Sequence, residues 1–282
     1  MPLADKPVSR NSVEFKDSIS KIDINSLISN KDIKVLQTCN PVDSKSWALV
    51  NEILIAERPD IEIRIYGHYG QICDLAFLEN ITNVQNLSID CLQNAINIKS
   101  LEKLPYLKSL SIGIFSLESF DFLELLPTTL EQLFLGATNS KKPNLKKLGR
   151  FSNLKELYIE GQQKEIEVVG ILYFLEKLVL RSVSPKDISF IRKLENLWSL
   201  DIKLGGIKDL TALDGLTNIK YLELWQIKGL SDISVISSLS GLQYLFLQSL
   251  RNVGKFPDGV LPKTCSICYE SIQSQRWQGD FR

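Results

Sequence analysis

Histidine is almost missing from this 282-residue chain: His68 is the only one, and methionine occurs once. A single imidazole excludes a histidine-rich metal centre and leaves His68 as the one histidine candidate for a general base. Net charge is missing too, since 33 Lys and Arg balance 33 Asp and Glu. Nucleic acid is therefore disfavoured as the main partner, because phosphate recognition draws on clustered positive charge. No run of about 18 apolar residues occurs, so no membrane-spanning helix is expected. The opening residues MPLADKPVSRNSVEFKDS lack the apolar core of a secretory signal, and the expected setting is cytoplasmic and free of membrane.

Cysteine is sparse and odd in number: Cys39, Cys73, Cys91, Cys265 and Cys268. No disulfide framework fits that count, which agrees with a reducing compartment. Cys265-Ser-Ile-Cys268 has the spacing of a redox or zinc pair. A redox pair opens a helix after a strand, however, and zinc needs a second ligand pair. The structural reading prevails, so no metal and no cofactor is expected. Phosphate loops, dinucleotide fingerprints and H-E-x-x-H are all absent. His68 lies in Tyr66-Gly-His-Tyr-Gly70, a turn-like stretch with no serine or cysteine nucleophile beside it. Gly161, Gly205 and Gly206 fall at turns, where backbone freedom accounts for them without phosphate. The chain reads as a non-enzyme, and an unrecognised site around His68 is the distant rival.

What the chain does have is a repeat. The pattern L-x-x-L-x-L, with conservative apolar swaps, starts at Val84, Leu107, Leu130, Leu154, Leu175, Leu197, Ile219 and Leu242. Successive starts lie 23, 23, 24, 21, 22, 22 and 23 residues apart. Weaker copies flank the run at Asp60–Ile65 and Pro262–Ile267. In the second of these, cysteine replaces the central leucine, which puts Cys265 on the inward face and Cys268 on the opposite one. Each segment alternates apolar and polar, the signature of a half-buried strand. One such strand cannot bury its leucines alone, but stacked copies share a continuous core. About ten residues remain for each return, too few for a long helix, and I-x-x-L-x-x-L spacing suits a 3-10 turn.

The motif resembles the leucine-rich repeat family over roughly residues 60–268, and its short repeats resemble the internalin-type class. The closest passage is Leu200-Asp-Ile-Lys-Leu-Gly-Gly-Ile207-Lys-Asp-Leu210-Thr-Ala-Leu213-Asp-Gly-Leu216. The resemblance implies an α/β solenoid: an arc with about ten parallel strands on its concave face and extended or 3-10 returns on its convex face. One departure matters. The family's asparagine after the strand is replaced by Leu92, Phe115, Thr138, Gln162, Val183, Gly205, Ile227 and Leu250, so the turns must be closed differently.

Residues 1–59 read as an N-terminal segment and cap. Residues 1–30 are polar and mixed in charge, and expected to be irregular or a short docking segment. Then come a strand from Ile33, a helix over Lys45–Glu57 capped at Asp43-Ser44, and a stop at Pro59. Residues 60–268 form the repeat domain and 269–282 a tail, in which Trp277 is placed to pack over the last repeat.

Projecting the strands identifies the outward columns. Tyr221, Trp225, Tyr244 and Phe246 converge on two neighbouring strands, with Tyr158 and Phe134 further back. Around them stand Glu160, Asp201 and Glu223 against Arg181 and Lys203. Exposed aromatics on a rigid sheet are the residue types that dominate interface hot spots, and mixed charge selects partners. Aromatics also pair across strands for packing alone, and that reading stands beside the functional one. The expected function is a protein-protein interaction module that is monomeric when free. It takes a folded partner on its concave sheet, most simply as a cytoplasmic inhibitor, an immunity-type protein or an adaptor. The rival from another class is a structural protein that self-associates through the edge at Cys265–Ile267.

Overall fold

The computed structural model describes residues 11–67, 71–140 and 142–253, and the backbone of a strand at Ile267–Ser271. His68 and Cys265 lie outside the described residues, as do Pro262–Ser266 and the tail from 272 onward with Trp277. The chain divides into two compact units, Met1–Pro143 and Asn144–Arg282.

The first unit contains β1 (Ser12–Glu14), α1 (Lys21–Ser29), β2 (Val35–Thr38), α2 (Ser44–Leu49), β3 (Glu62–Tyr66) and β4 (Ile72–Asp74). It continues with β5 (Asn86–Leu92), β6 (Asn94–Ile96), β7 (Ser109–Ile114) and β8 (Gln132–Leu135). Its main sheet is parallel, in the order β1-β2-β3-β5-β7-β8, while β4 and β6 pair separately. The second unit carries β9 (Glu156–Glu160), β10 (Lys177–Arg181), β11 (Ser199–Lys203), β12 (Tyr221–Trp225), β13 (Tyr244–Gln248) and β14 (Ile267–Ser271). These six strands are parallel and pair in sequence order.

Alternation decides which side chains form the core. Leu178, Leu180, Leu200, Ile202, Leu222 and Leu224 are wholly buried, while the residues between them face outward. Each such leucine or isoleucine contributes about 2 kcal/mol of burial. The returns are 3-10 turns, as the spacing predicts, for example Ile166–Ile171, Ser189–Lys193 and Ser234–Ser238. Aspartates open several of them: Asp187, Asp209 and Asp232 accept from the amides of Ser189, Thr211 and Ser234 at 2.7, 2.7 and 2.8 Å.

The missing asparagine is replaced by backbone geometry. Gly161, Ser182, Leu204, Gln226 and Ser249, each just past a strand, adopt left-handed φ values between 51° and 88°. The amides of the first four donate to the carbonyls of Arg181, Lys203, Trp225 and Gln248 on the next strand, at 2.8–2.9 Å. With those groups satisfied, the family's asparagine position is free for burial, and Val183, Ile227 and Leu250 are at most 2% exposed there. Gly205 is required at its place, because a Cβ would collide with the Val183 carbonyl oxygen.

The N-terminal region departs from expectation. Residues 11–30 are folded: β1 is the outermost strand of its sheet, and α1 buries Ile24 and Leu27. A capping box starts α1, with Ser20 Oγ accepting from the Asp23 amide and Asp23 Oδ2 from the Ser20 amide. The high polarity of the segment hid these apolar positions. The expected Lys45–Glu57 helix begins at Ser44, with Asp43 as its cap, and winds as a π-helix over Val50–Ile55. That winding lets the adjacent Leu54 and Ile55 both be buried. Arg58, 1% exposed, donates to the carbonyls of Leu27, Asn30 and Ile33 and to both Asp60 oxygens. It ties the end of α1 and the entry to β2 to the entry to β3.

The C-terminal copy of the repeat is also shifted. In the pairing of β13 with β14, Cys268 stands opposite Leu245 and Glu270 opposite Leu247. The central position of that copy therefore belongs to Cys268 and not to Cys265, a displacement of three residues. Among the described strands β14 has β13 as its one neighbour, so no second ladder holds its register to the leucine pattern.

Candidate functional site

The outward columns of the second unit bring the expected residues into register. Tyr221 stands opposite Tyr244, Glu223 opposite Phe246 and Trp225 opposite Gln248. On the other side, Asp201 pairs with Glu223 and Lys203 with Trp225. Tyr158 and Glu160 lie on β9, opposite Val179 and Arg181. Phe134 is placed elsewhere: it sits on β8 of the first unit, opposite Ser111, and is 42% exposed.

The aromatics are less open than the projection implies. Tyr244 is 43% exposed, whereas Tyr221, Trp225 and Phe246 are half-buried. Parallel strands bring neighbouring side chains close enough to shield one another, which a column read strand by strand does not reveal. Burial, and then the Glu223 charge, push the Tyr221 phenol up; its hydroxyl donates to Glu223 Oε2 at 3.0 Å. Burial and Glu160 raise Tyr158 in the same way.

The charges are paired, both across strands and, for Asp201 with Lys203, within β11. Lys177 Nζ meets Glu156 at 2.8 Å and Arg181 Nε meets Glu160 at 2.9 Å. Lys203 Nζ bridges Asp201 Oδ2 and Glu223 Oε2, both at 3.1 Å. Burial acts to lower the Lys203 pKa, but the two carboxylates outweigh it and the net direction is upward. Burial also raises Asp201, although Lys203 opposes it. The group thus holds two acids to one base, and the buried Asp201 Oδ1 accepts no hydrogen bond among the described residues. A buried acceptor without a donor is uncommon in a folded chain and marks a place where a donor is owed.

The first unit holds a polar network that the sequence reading missed. Arg64 makes a two-pronged contact with Asp90 at 2.9 and 2.8 Å, reaches Gln37 at 3.2 Å and lies 4.8 Å over the Tyr66 ring. Tyr66 donates to Glu14 at 2.9 Å, and the Cys39 thiol donates to the same carboxylate at 3.3 Å. Burial and Glu14 push the Tyr66 phenol up to about 12. Glu14 belongs to β1, so the network was hidden with that strand; the alternation in Ser12-Val-Glu-Phe15 was the available signal. Cys39, Cys73 and Cys91 are thiols and not disulfides. Among the described residues no three histidine, cysteine or acidic side chains converge as metal ligands. No described helix is long and apolar enough to cross a membrane.

No protein-family model matches the chain, and no curated protein matches it in sequence. Solved structures do match. An internalin (inlF) from Listeria monocytogenes is 22% identical with a TM-score of 0.52, over 86% of this chain and 75% of that one. CroV588, described as a circular LRR protein, is 15% identical with a TM-score of 0.58, over 95% of this chain and 41% of that one. TLR13, solved as a complex with ssRNA13, is 16% identical with a TM-score of 0.53, over 86% of this chain and 40% of that one. The chain has the leucine-rich repeat fold. At such identities the likeness carries the fold alone, so the function of this leucine-rich repeat protein is argued from its own outward residues.

Proposed function

We propose that this leucine-rich repeat protein is a non-catalytic interaction module that binds a folded protein on the open sheet face of its second unit. The observation that carries the reading is the register of β12 and β13, which sets Tyr221, Trp225, Tyr244 and Phe246 side by side on a rigid parallel sheet. The core leucines beneath them do the stacking, so large aromatics are not needed outside for the fold to form. The half-burial of Tyr221, Trp225 and Phe246 supports the reading, since pre-ordered aromatics lose little entropy on binding. Because the basic residues of this face are each engaged with a carboxylate, it offers no excess positive charge to nucleic acid.

Within that class the reading is a cytoplasmic inhibitor, immunity-type or adaptor protein, monomeric when free and binding one-to-one. A pull-down from native host extract tests it, comparing wild type with Trp225→Ala/Tyr244→Ala. One partner held by wild type and lost by the folded variant is the expected result. Equal recovery by both removes the aromatic pair from the binding site. Mass in solution that rises with concentration, with no partner captured, favours the self-associating alternative.

A further inference from the structure

Among the described residues of the second unit, the largest apolar exposure lies away from the aromatic sheet face. It belongs to the return turn Ile166–Ile171 and the link into β10, where Ile171, Tyr173 and Phe174 are 44%, 59% and 59% exposed. The equivalent pair after the returns of neighbouring repeats is Ser152-Asn153, Glu195-Asn196 and Thr217-Asn218. The apolar tip is therefore not a requirement of the repeat. Structure holds it in place: a Cβ on Gly149 would lie 3.0 Å from Ile171 Cδ1 and 3.1 Å from Val168 Cγ2, so Ile171 rests over the turn of the preceding repeat. The Asn196 side chain donates to the Tyr173 carbonyl at 2.8 Å.

The flanking turns are basic. Lys146, Lys147 and Arg150 belong to the turn before, and Arg192 and Lys193 to the turn after, outnumbering the exposed Glu165, Glu167 and Glu195 that stand beside the tip. We propose that this edge of the second unit is a peripheral docking site for an anionic lipid bilayer, with Ile171, Tyr173 and Phe174 entering the interface and the flanking lysines and arginines meeting the headgroups. A tip one repeat wide is too small for a protein interface, which needs about 800 Å² from each partner. A bilayer interface accepts such a tip, because aromatic and aliphatic side chains settle at headgroup depth while nearby basic residues gain from anionic lipid. The expectation of no membrane contact came from the lack of a spanning segment, and peripheral docking needs none. The proposal does not depend on the partner site described above.

Co-sedimentation of the full chain with phospholipid vesicles tests it. Wild type is expected to partition onto vesicles containing one third phosphatidylserine, and roughly fivefold or more weakly onto pure phosphatidylcholine. Tyr173→Ser/Phe174→Ser should lower partition about tenfold, with the melting temperature unchanged because both side chains are exposed. Arg150→Gln/Lys193→Gln should remove the preference for anionic lipid and its salt sensitivity. No partition of wild type onto phosphatidylserine vesicles overturns the proposal, and so does partition that the serine pair leaves intact. A dimer formed without vesicles and abolished by the serine pair also overturns it, assigning the tip to a second copy of the chain.

Discussion

The two units build similar interiors and very different outer faces. In the first, the outward residues of β5 and β7 include Asn86, Ser88, Ser109, Ser111 and Gly113. In the second, those of β11, β12 and β13 include Asp201, Lys203, Tyr221, Glu223, Trp225, Tyr244 and Phe246. Beneath both runs lies the same pair of buried apolar positions per strand, such as Leu110 with Ile112 and Leu222 with Leu224. Small side chains outside are thus sufficient on β5 and β7, although β8 of the same unit carries the exposed Phe134, and the aromatics of the second unit are additions to that pattern. The first unit spends its large outward polar residues, Arg64, Tyr66 and Asp90, on contacts with one another and with β1 and β2, and its organised surface is structural.

The comparison breaks first if the interiors differ. Leu110→Ala and Leu222→Ala should each cost about 2–5 kcal/mol in denaturant unfolding, by comparable amounts, because both side chains are fully buried. A loss confined to one unit would show that the two cores are not equivalent. Arg58→Met should cost about 3 kcal/mol, since it leaves three backbone carbonyls without their donor and Asp60 with only the 3.5 Å contact to Lys34. Protection against hydrogen exchange should fall in α1 and β2 while β10–β12 keep theirs.

Much of this comparison could be read in advance from the spacing. Eight copies of L-x-x-L-x-L fix which residues point inward, and the outward columns follow by parity. Three features could not be read that way. The left-handed residues Ser182, Leu204 and Gln226 are ordinary side chains in a conformation usually marked by glycine, so the turn ladder left no compositional trace. β1 and α1 bury only a few apolar residues in a polar segment, and Arg58, which holds them, looks like a surface charge in sequence. The half-burial of Tyr221, Trp225 and Phe246 depends on neighbouring strands, which a single column does not contain.

The smaller effects sharpen the contrast. Asp60 is held at about 2 against an ordinary 3.8, chiefly by the hydrogen bond from Arg58. Its folded pKa lies below the unfolded one, so its contribution is complete above pH 3.8 and is lost as pH falls toward 2. Melting curves from about pH 5 to about pH 2 should show a fall in wild type that is shallower in Asp60→Asn. Asp201 behaves oppositely: burial raises its folded pKa, so the ionised carboxylate costs stability once pH passes the unfolded value of 3.8. Asp201→Asn should therefore leave stability at neutral pH unchanged or raise it by up to about 1 kcal/mol. A marked loss of stability in that variant would make the carboxylate a structural group, like Asp60.

The most direct measurement is titration calorimetry of the captured partner against three forms of the chain: wild type, Tyr244→Ala/Phe246→Ala in the second unit, and Ser109→Ala/Ser111→Ala in the first. The account predicts that the first pair lowers affinity by two orders of magnitude or more, at about 2 kcal/mol or more for a hot-spot residue, and that the serine pair leaves it unchanged. Loss of affinity from the serine pair, with the aromatic pair binding as wild type does, would contradict it and move the interaction surface to the first unit.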